Sequence, residues 1–394
     1  MTIVLTGGGS GGHITPVLAV AHEIKQLQPE TKLAYIGQAG DSLSDIPTAS
    51  KDIDAVHTVQ AGKFRRYHGE GLKQLLDYKT MSLNIRDAYR VLRGCWQSYK
   101  LLKSIKPDCI FIKGGFVGVP VGLAAAWLRI PYVTHDSDAI PGLANRVIAR
   151  WATLHTVALP KEIYAYPAEK TLTVGVPVHA NFTQVDAAGQ AHYKHELKLD
   201  RFSKILLVTG GGLGAQRLND AMANIALKLL TDFPDLAIIQ SVGRNNEAAI
   251  LERYRHILNQ EQQSRVAVQG YMPDLYRFSG AADVIVTRAG ATTLAEFAIQ
   301  HKACVVVPNP ILTGGHQLKN AEYLAEQGAI EIVHEGALAY DLYPVLTKML
   351  HDTELTKNLG AKLAGFAVPD AARQLAMVLL DEIKKRAAAA AEPK

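Results

Sequence analysis

The chain opens with MTIVLTGGGSGGH, a strand-like run that ends in five glycines and Ser10 and then delivers His13 at the start of a helical pattern. An imidazole at the positive end of a helix is disfavoured as a cation, so a neutral ring able to accept a proton is one reading of His13. A histidine that only caps the helix or packs against its loop is the other. The glycines allow an anionic group to approach backbone N–H groups at a helix N-terminus. Their spacing, Gly7-x-Gly9-x-x-Gly12, also fits a dinucleotide fingerprint, which requires an acid at the end of the second strand to hold ribose hydroxyls. That strand ends LAYIGQAG, with Gly37 and Gln38 where the acid should stand, and this speaks against NAD.

A second constellation lies in the other half. VTRAGATTLAEF turns at Gly290 and opens a helix with Thr292 and Thr293 in its first turn. Glu296 then falls about one turn in, within reach of two vicinal hydroxyls. PNPILTGGHQLKNA makes a Pro/Gly loop and presents His316, Gln317 and Asn320 from the following helix. Amide and imidazole groups suit sugar hydroxyls, although helix capping and surface polarity account for the same residue types.

These residues must be carried by a scaffold. Strand-like runs alternate with helix-length amphipathic segments: Ile3–Thr6, Leu33–Ile36, Cys109–Ile112 and Tyr132–Thr134 in the first half, and Ile205–Thr209, Ala237–Gln240, Val284–Thr287 and Cys304–Val307 in the second. That alternation predicts doubly wound α/β folding. LTGGGSGG at Leu5 returns as VTGGGLGA at Val208, so each half opens with a strand, a triple-glycine turn and a helix. The expectation is two Rossmann-like domains facing each other across a cleft, residues 1–175 and 176–368, joined near Val174–Phe182, where Gly175 and Pro177 interrupt regular structure. A helix over 369–386, with Leu375, Val378, Leu379 and Ile383 on one face, is expected to pack back on the first domain. The tail 387–394 is expected to be disordered.

At 394 residues, with 48% hydrophobic and 20% charged residues, the composition is that of a soluble globular protein. The first residues run into a strand without a basic segment or cleavage site, so no secretory signal is expected. Gly114–Leu128 is uncharged but only 15 residues long and interrupted by Pro120, short of the roughly 20 needed to span a bilayer. Cys95, Cys109 and Cys304 are too widely spaced for a disulfide framework or a zinc site, which suits a reducing cytoplasm. The net charge of +5 is uneven: residues 63–106 hold eleven Lys/Arg against three acids, interleaved with Phe64, Tyr67, Tyr78, Tyr89 and Trp96. This stretch reads either as an anionic-membrane patch or as a solvated helix face whose apolar side packs inward. Nucleic acid is a poorer fit, because the charge does not extend over the chain.

Taken together, GGGSGGHITPVLAVA, AGKFRRY, KGGFVGVPVGLAAAWLRIPYVTHDSDAIPGLANRVIARWA, GGGLGAQRLN, TRAGATTLAEF and GGHQLKNAEYL resemble the MurG glycosyltransferases, within the two-Rossmann-domain GT-B class. The resemblance implies transfer of N-acetylglucosamine from UDP-N-acetylglucosamine to the 4-hydroxyl of undecaprenyl-pyrophosphoryl-N-acetylmuramoyl-peptide, the lipid I to lipid II step of peptidoglycan synthesis. It also implies inversion at the anomeric carbon, no cofactor or tightly bound metal, and peripheral attachment to the cytoplasmic face of the inner membrane through residues 63–106.

By position, the resemblance makes His13 the candidate general base or a ligand of the acceptor diphosphate. Gly9, Ser10, Gly11, Gly12, His135 and Asp136 fall on the acceptor side. On the donor side stand Gly212 and Gly214 at the phosphates, Met272 whose backbone contacts uracil, Ala291 and Thr292 around sugar and phosphates, Glu296 at the ribose, and His316, Gln317 and Asp138 at the sugar. Three departures fall on or near the donor side. HDSD places Asp138 where an amide is usual, Gly212-Leu213 replaces a common Ser-Gln pair, and His179 replaces an arginine. Rival readings are a GT-B glycolipid transferase with another UDP-sugar or acceptor, a UDP-sugar 2-epimerase, and a non-catalytic sugar-nucleotide sensor.

Overall fold

The computed structural model describes residues 1–9, 11–41, 43–62, 78–211, 214–310 and 315–391, with the side chains of 78–83 and 390–391 excepted. Ser10, Gly212 and residues 63–77, all singled out above, lie outside the described residues. The chain divides into two compact units. The first comprises Met1–Ala180, Ile311–His316 and Val368–Lys394; the second comprises Asn181–Pro310 and Gln317–Ala367. The sequence reading had placed the join between residues 175 and 176.

In the first unit seven parallel strands run in the order β3-β2-β1-β4-β5-β6-β7. They are β1 (Thr2–Thr6), β2 (Lys32–Gln38), β3 (Ala55–Val59), β4 (Cys109–Ile112), β5 (Tyr132–Asp136), β6 (Leu154–Val157) and β7 (Thr171–Thr173). Alternate residues feed two cores. Ile3, Leu5, Leu33 and Phe111 pack under the helix Gly11–Leu27, while Val4, Ile36, Ile110 and Ile112 pack against Leu102, Val121 and Ala125 of the opposite helices. A parallel sheet covered on both faces buries every side chain of its central strands. That is why those strands read as continuous apolar runs.

The second unit repeats the plan with six parallel strands in the order β10-β9-β8-β11-β12-β13. Its strands are β8 (Lys204–Thr209), β9 (Leu236–Ser241), β10 (Val266–Gln269), β11 (Val284–Thr287), β12 (Ala303–Val306) and β13 (Glu331–Ile332). The eight expected strands are all present. Five others were not expected, and four of these (β3, β7, β10, β13) are the edges of the two sheets. Edge strands are half solvated and lose the unbroken apolar run; β10 has no fully buried residue.

The last helix spans Ala371–Ala391 and belongs to the first unit, where Leu375, Ala376, Leu379 and Leu380 complete the core beneath the helix Gly11–Leu27. It carries on through the alanine run, which corrects the expected disorder from residue 387. Alanine has the highest helix propensity, so the exposed run extends a helix already anchored by packing. Residues 392–394 lie outside the described residues. Gly175 marks the return point: its φ is +79°, and a Cβ there would sit 2.5 Å from Val368.

Candidate functional site

Each sheet reverses its strand order once, between β1 and β4 in the first unit and between β8 and β11 in the second. Open α/β sheets bind ligands at the carboxyl ends of strands beside such a reversal. Both glycine loops follow the strand at that point.

In the first unit the loop leaves β1 and enters the helix Gly11–Leu27. Gly7 has no room for a side chain, since a Cβ would lie 2.5 Å from the His13 carbonyl oxygen. The Tyr35 hydroxyl donates to the Gly7 carbonyl, and Gly9, at φ +82°, turns its N–H to Asp41 Oδ2 at 2.8 Å. The first turn of the helix carries no acidic residue. His13 stands in that turn. Its Nδ1 is buried and has no hydrogen-bond partner among the described residues. Burial, helped by the Lys113 ammonium and partly opposed by Asp138, lowers the His13 imidazolium to about 4. The ring is therefore neutral at pH 7, as proton acceptance requires.

Lys113, which the sequence reading passed over, follows β4 directly and is only 4% exposed. Its backbone N–H donates to the Thr6 carbonyl at 2.9 Å. Gly114 and Gly115 then pass close to the loop: a Cβ on Gly114 would be 3.8 Å from His13 Cε1, and one on Gly115 would strike the Gly8 carbonyl. A lysine ending the run CIFIK of a buried strand was the available signal.

His135 and Asp136 end β5 and are buried. His135 engages both ring nitrogens, with Thr156 Oγ1 at 3.0 Å and Ser137 Oγ at 3.1 Å. Asp136 accepts from the Gly142 N–H at 2.9 Å and the Tyr166 hydroxyl at 2.8 Å. Burial raises its carboxyl against those bonds. Both residues hold the framework under the site, with their polar atoms turned to protein neighbours. Asp138 is fixed through its backbone, whose carbonyl accepts from the Tyr164 hydroxyl at 3.0 Å. His179 stacks on His22, with ring centroids 6.3 Å apart.

In the second unit β8 runs into Gly210, Gly211 and Gly214, then the helix Gln216–Asp232. Gly214 has φ +76°, and a Cβ there would lie 2.2 Å from the Val242 carbonyl oxygen, so no other residue fits the turn. After β11, Gly290 precedes the helix Ala291–Ile299 without a capping side chain, and its first turn contains no acid. A helix start with no capping side chain and no acid in its first turn suits an anionic ligand. Thr292 is buried there, and Met272 is buried against the core of the same unit, which fixes its backbone. Glu296 keeps part of its surface open, but the protein packed around it raises its carboxyl to about 8.

Two residues support this segment; Arg288 was missed in sequence, whereas Asn320 was read there as a polar group for sugar hydroxyls. Buried Arg288 bonds the Val307 carbonyl at 3.2 Å and Glu335 Oε1 at 2.5 Å, and Asn320 Nδ2 donates to the Ala289 carbonyl. Gln317 Oε1 accepts the Asn309 N–H at 2.9 Å, so its carbonyl orders the loop after β12. His316 clusters with the first unit and Gln317 with the second. Among the described residues no group of three or more His, Cys, Asp and Glu could hold a metal ion.

A parallel sheet with a glycine turn at its reversal, built twice in one chain, is the two-Rossmann-domain GT-B fold. Residues 3–156 match the glycosyltransferase family 28 N-terminal domain and residues 205–375 its C-terminal domain. The chain belongs to the MurG family of these transferases. It is 32% identical over 382 residues to the UDP-N-acetylglucosamine--N-acetylmuramyl-(pentapeptide) pyrophosphoryl-undecaprenol N-acetylglucosamine transferase of Natranaerobius thermophilus, covering 96% of this chain and 99% of that one. It is 31% identical over 384 residues to the protein of that name from Desulfitobacterium hafniense, covering 97% and 99%. The crystal structure of Acinetobacter baumannii MurG shares the fold, with a TM-score of 0.70 and 24% identity over 96% of this chain and 99% of that one.

Proposed function

We propose that this protein transfers N-acetylglucosamine from UDP-N-acetylglucosamine to the 4-hydroxyl of the muramoyl sugar in a polyprenyl-pyrophosphoryl-N-acetylmuramoyl-peptide, lipid I to lipid II, with inversion. The observation that carries it is a likeness of about a third of all residues, over nearly the whole of both chains, to transferases named for that reaction.

His13 takes the hydroxyl proton as the new glycosidic bond forms, a contribution of about 10²- to 10⁴-fold for a well-placed base. Its neutrality at working pH supports this role. Negative charge growing on the departing UDP is met by backbone N–H groups at the uncapped helix start after Gly290 and at Gly210, Gly211 and Gly214. Glu296 holds the ribose hydroxyls.

The lipid-linked acceptor is reached from the membrane surface. Along the helix Tyr78–Ile105, Ile85, Tyr89, Leu92 and Trp96 recur at helical spacing and are 66, 65, 71 and 59% exposed. Arg86, Arg93, Lys100 and Lys103 are exposed on the same helix, and Lys100 Nζ lies 3.6 Å from the centre of the Trp96 ring. Trp127, 81% exposed, packs beside Tyr99 at 5.7 Å. Apolar anchors ringed by cations suit an anionic bilayer surface, and we assign the inner, cytoplasmic leaflet. No helix among the described residues is long and apolar enough to cross a membrane.

The test is a turnover assay with a short-chain lipid I analogue and a panel of UDP-sugars. Coupled product with UDP-N-acetylglucosamine alone is expected. UDP release without acceptor, or product only with another sugar or with diacylglycerol, would overturn the assignment.

A further inference from the structure

In the second unit one carboxylate joins the two chain segments that leave the sheet at its reversal. Strand register sets Thr209 at the end of β8 beside Thr287 at the end of β11, so Gly210 and Arg288 step off the sheet side by side. The first segment passes Gly211 and Gly214 into the helix Gln216–Asp232, and the second turns at Gly290 into the helix Ala291–Ile299. Among the described residues, neither helix start has a capping side chain or an acid in its first turn. Both leave backbone N–H groups for an anion.

Glu335, just beyond β13, gives one carboxylate oxygen to each segment. Oε2 accepts from Arg217, in the first turn of the helix Gln216–Asp232, at 2.9 Å, and Oε1 accepts from Arg288 at 2.5 Å. The glutamate side chain is 3% exposed, that of Arg288 10% and that of Arg217 65%. The bridge is braced from both ends of its buried half. Arg288 also donates to the Val307 carbonyl after β12 at 3.2 Å, and the Val333 N–H, two residues before Glu335, donates to the Val306 carbonyl at 3.0 Å. A buried ion triad adds little stability over packed apolar side chains, and its best-attested use is to fix register.

We propose that Glu335 is a positioning residue for the donor: by holding Arg217 and Arg288 on one carboxylate it sets the two helix starts at the spacing a diphosphate needs. This deepens the reading of those helix starts as the donor phosphate site and rests on it. The charge of Glu335 by itself repels a diphosphate, so any benefit to binding comes through the arginines that it holds. Binding and transfer are sensitive to displacements of about 1 Å, which is the scale on which a rigid bridge between two segments acts.

The experiment measures binding of UDP by calorimetry and of uridine by ligand-detected NMR, with the full chain, native and Glu335→Gln. The substitution keeps the shape and removes the charge, so a pure field effect tightens UDP whereas loss of the bridge loosens it. The expected result is UDP bound about tenfold more weakly, with uridine unchanged within about twofold. UDP affinity unchanged or raised overturns the proposal, and so does an equal loss for UDP and uridine, which a merely structural role would give. A native protein that binds UDP no better than uridine overturns the phosphate reading itself, and the bridge with it; a native preference that survives Glu335→Gln overturns the bridge alone. At 500 mM salt, where the field of exposed Arg217 is screened, Arg217→Met is expected to weaken UDP binding and to add nothing in the Glu335→Gln background. A further loss there makes Arg217 a direct phosphate ligand and refutes its action through Glu335. Should Glu335→Gln fail to fold, Arg217→Met, which keeps the Arg288–Glu335 pair, decides: native UDP affinity at 500 mM salt refutes the inference.

Discussion

One carboxylate, that of Asp41, ties the first glycine loop to the turn after β2: Oδ2 accepts the Gly9 N–H at 2.8 Å and Oδ1 the Leu43 N–H at 3.1 Å. A loop rich in glycine has many conformations to lose, so an external tether is needed to hold it open for a ligand. Asp41→Ala is expected to lower stability by about 1 kcal/mol, the usual worth of a partly exposed charged hydrogen bond. KM for the lipid acceptor should rise more than kcat falls. Urea denaturation and steady-state kinetics check both. An unchanged KM would mean that the tether serves the turn alone.

His13→Gln is expected to lower kcat by about 10²- to 10⁴-fold with little change in UDP affinity. The depressed imidazole has a second consequence. The folded chain holds His13 unprotonated down to about pH 4, whereas the unfolded chain binds that proton near 6.5. Stability from this residue is complete above 6.5 and is lost as pH falls towards 4. Buried His155, lowered to about 4, adds in the same direction. Thermal melts from pH 7.5 to 5 should fall less steeply in His13→Gln than in the native protein.

The residues singled out in sequence share one property: each sits at a strand end or helix start that the local pattern announces. His13, the glycine turns and Glu296 sit inside short contiguous patterns whose geometry is set by one strand and one helix. Lys113 owes its buried place beside the glycine loop to β1 and β4 lying side by side although they are about a hundred residues apart. Arg288 likewise depends on Glu335, and Gly9 on Asp41. No local pattern announces such pairs. His135 and Asp136, placed on the acceptor side by the resemblance, have hydrogen-bond partners across the sheet that no local pattern announces either. The edge strands were hidden by their own solvation, and the central ones were exposed to view by their burial.

On the proposed placing of Glu296 at the ribose, donor binding should depend on pH. With its carboxyl raised to about 8, it is mostly protonated at pH 7 in the free protein. Two ribose hydroxyls donating to it favour the carboxylate, so UDP binding should release a proton, and affinity should rise from pH 6 to above 8. Without ligand the same shift costs stability as pH climbs from about 4.5 through 8. Calorimetry of UDP binding in two buffers of different ionisation enthalpy reads the proton directly. Glu296→Gln should abolish its release and weaken binding by roughly tenfold to a hundredfold at pH 8.5. Proton release that persists in the variant would move the titrating group elsewhere.

The stripe on the helix Tyr78–Ile105 separates two kinds of membrane attraction. Apolar insertion is indifferent to salt, whereas cations near a lipid surface contribute about 1 kcal/mol each and are screened beyond a Debye length of about 10 Å at 0.1 M. Leu92→Ser with Trp96→Ser is therefore expected to weaken binding to phosphatidylglycerol-containing vesicles at every salt concentration. Arg93→Gln with Lys100→Gln should weaken it at low salt only, and neither pair should alter binding to vesicles of neutral lipid by charge. Both pairs lie on exposed positions, so turnover of a short-chain soluble acceptor should stay near native. Flotation of the full chain with vesicles at 50 and 500 mM salt distinguishes the two. Equal flotation of all variants and the native protein would place the lipid-facing surface elsewhere, because substitutions on the contacting face cannot leave both the apolar and the ionic part of the attraction intact.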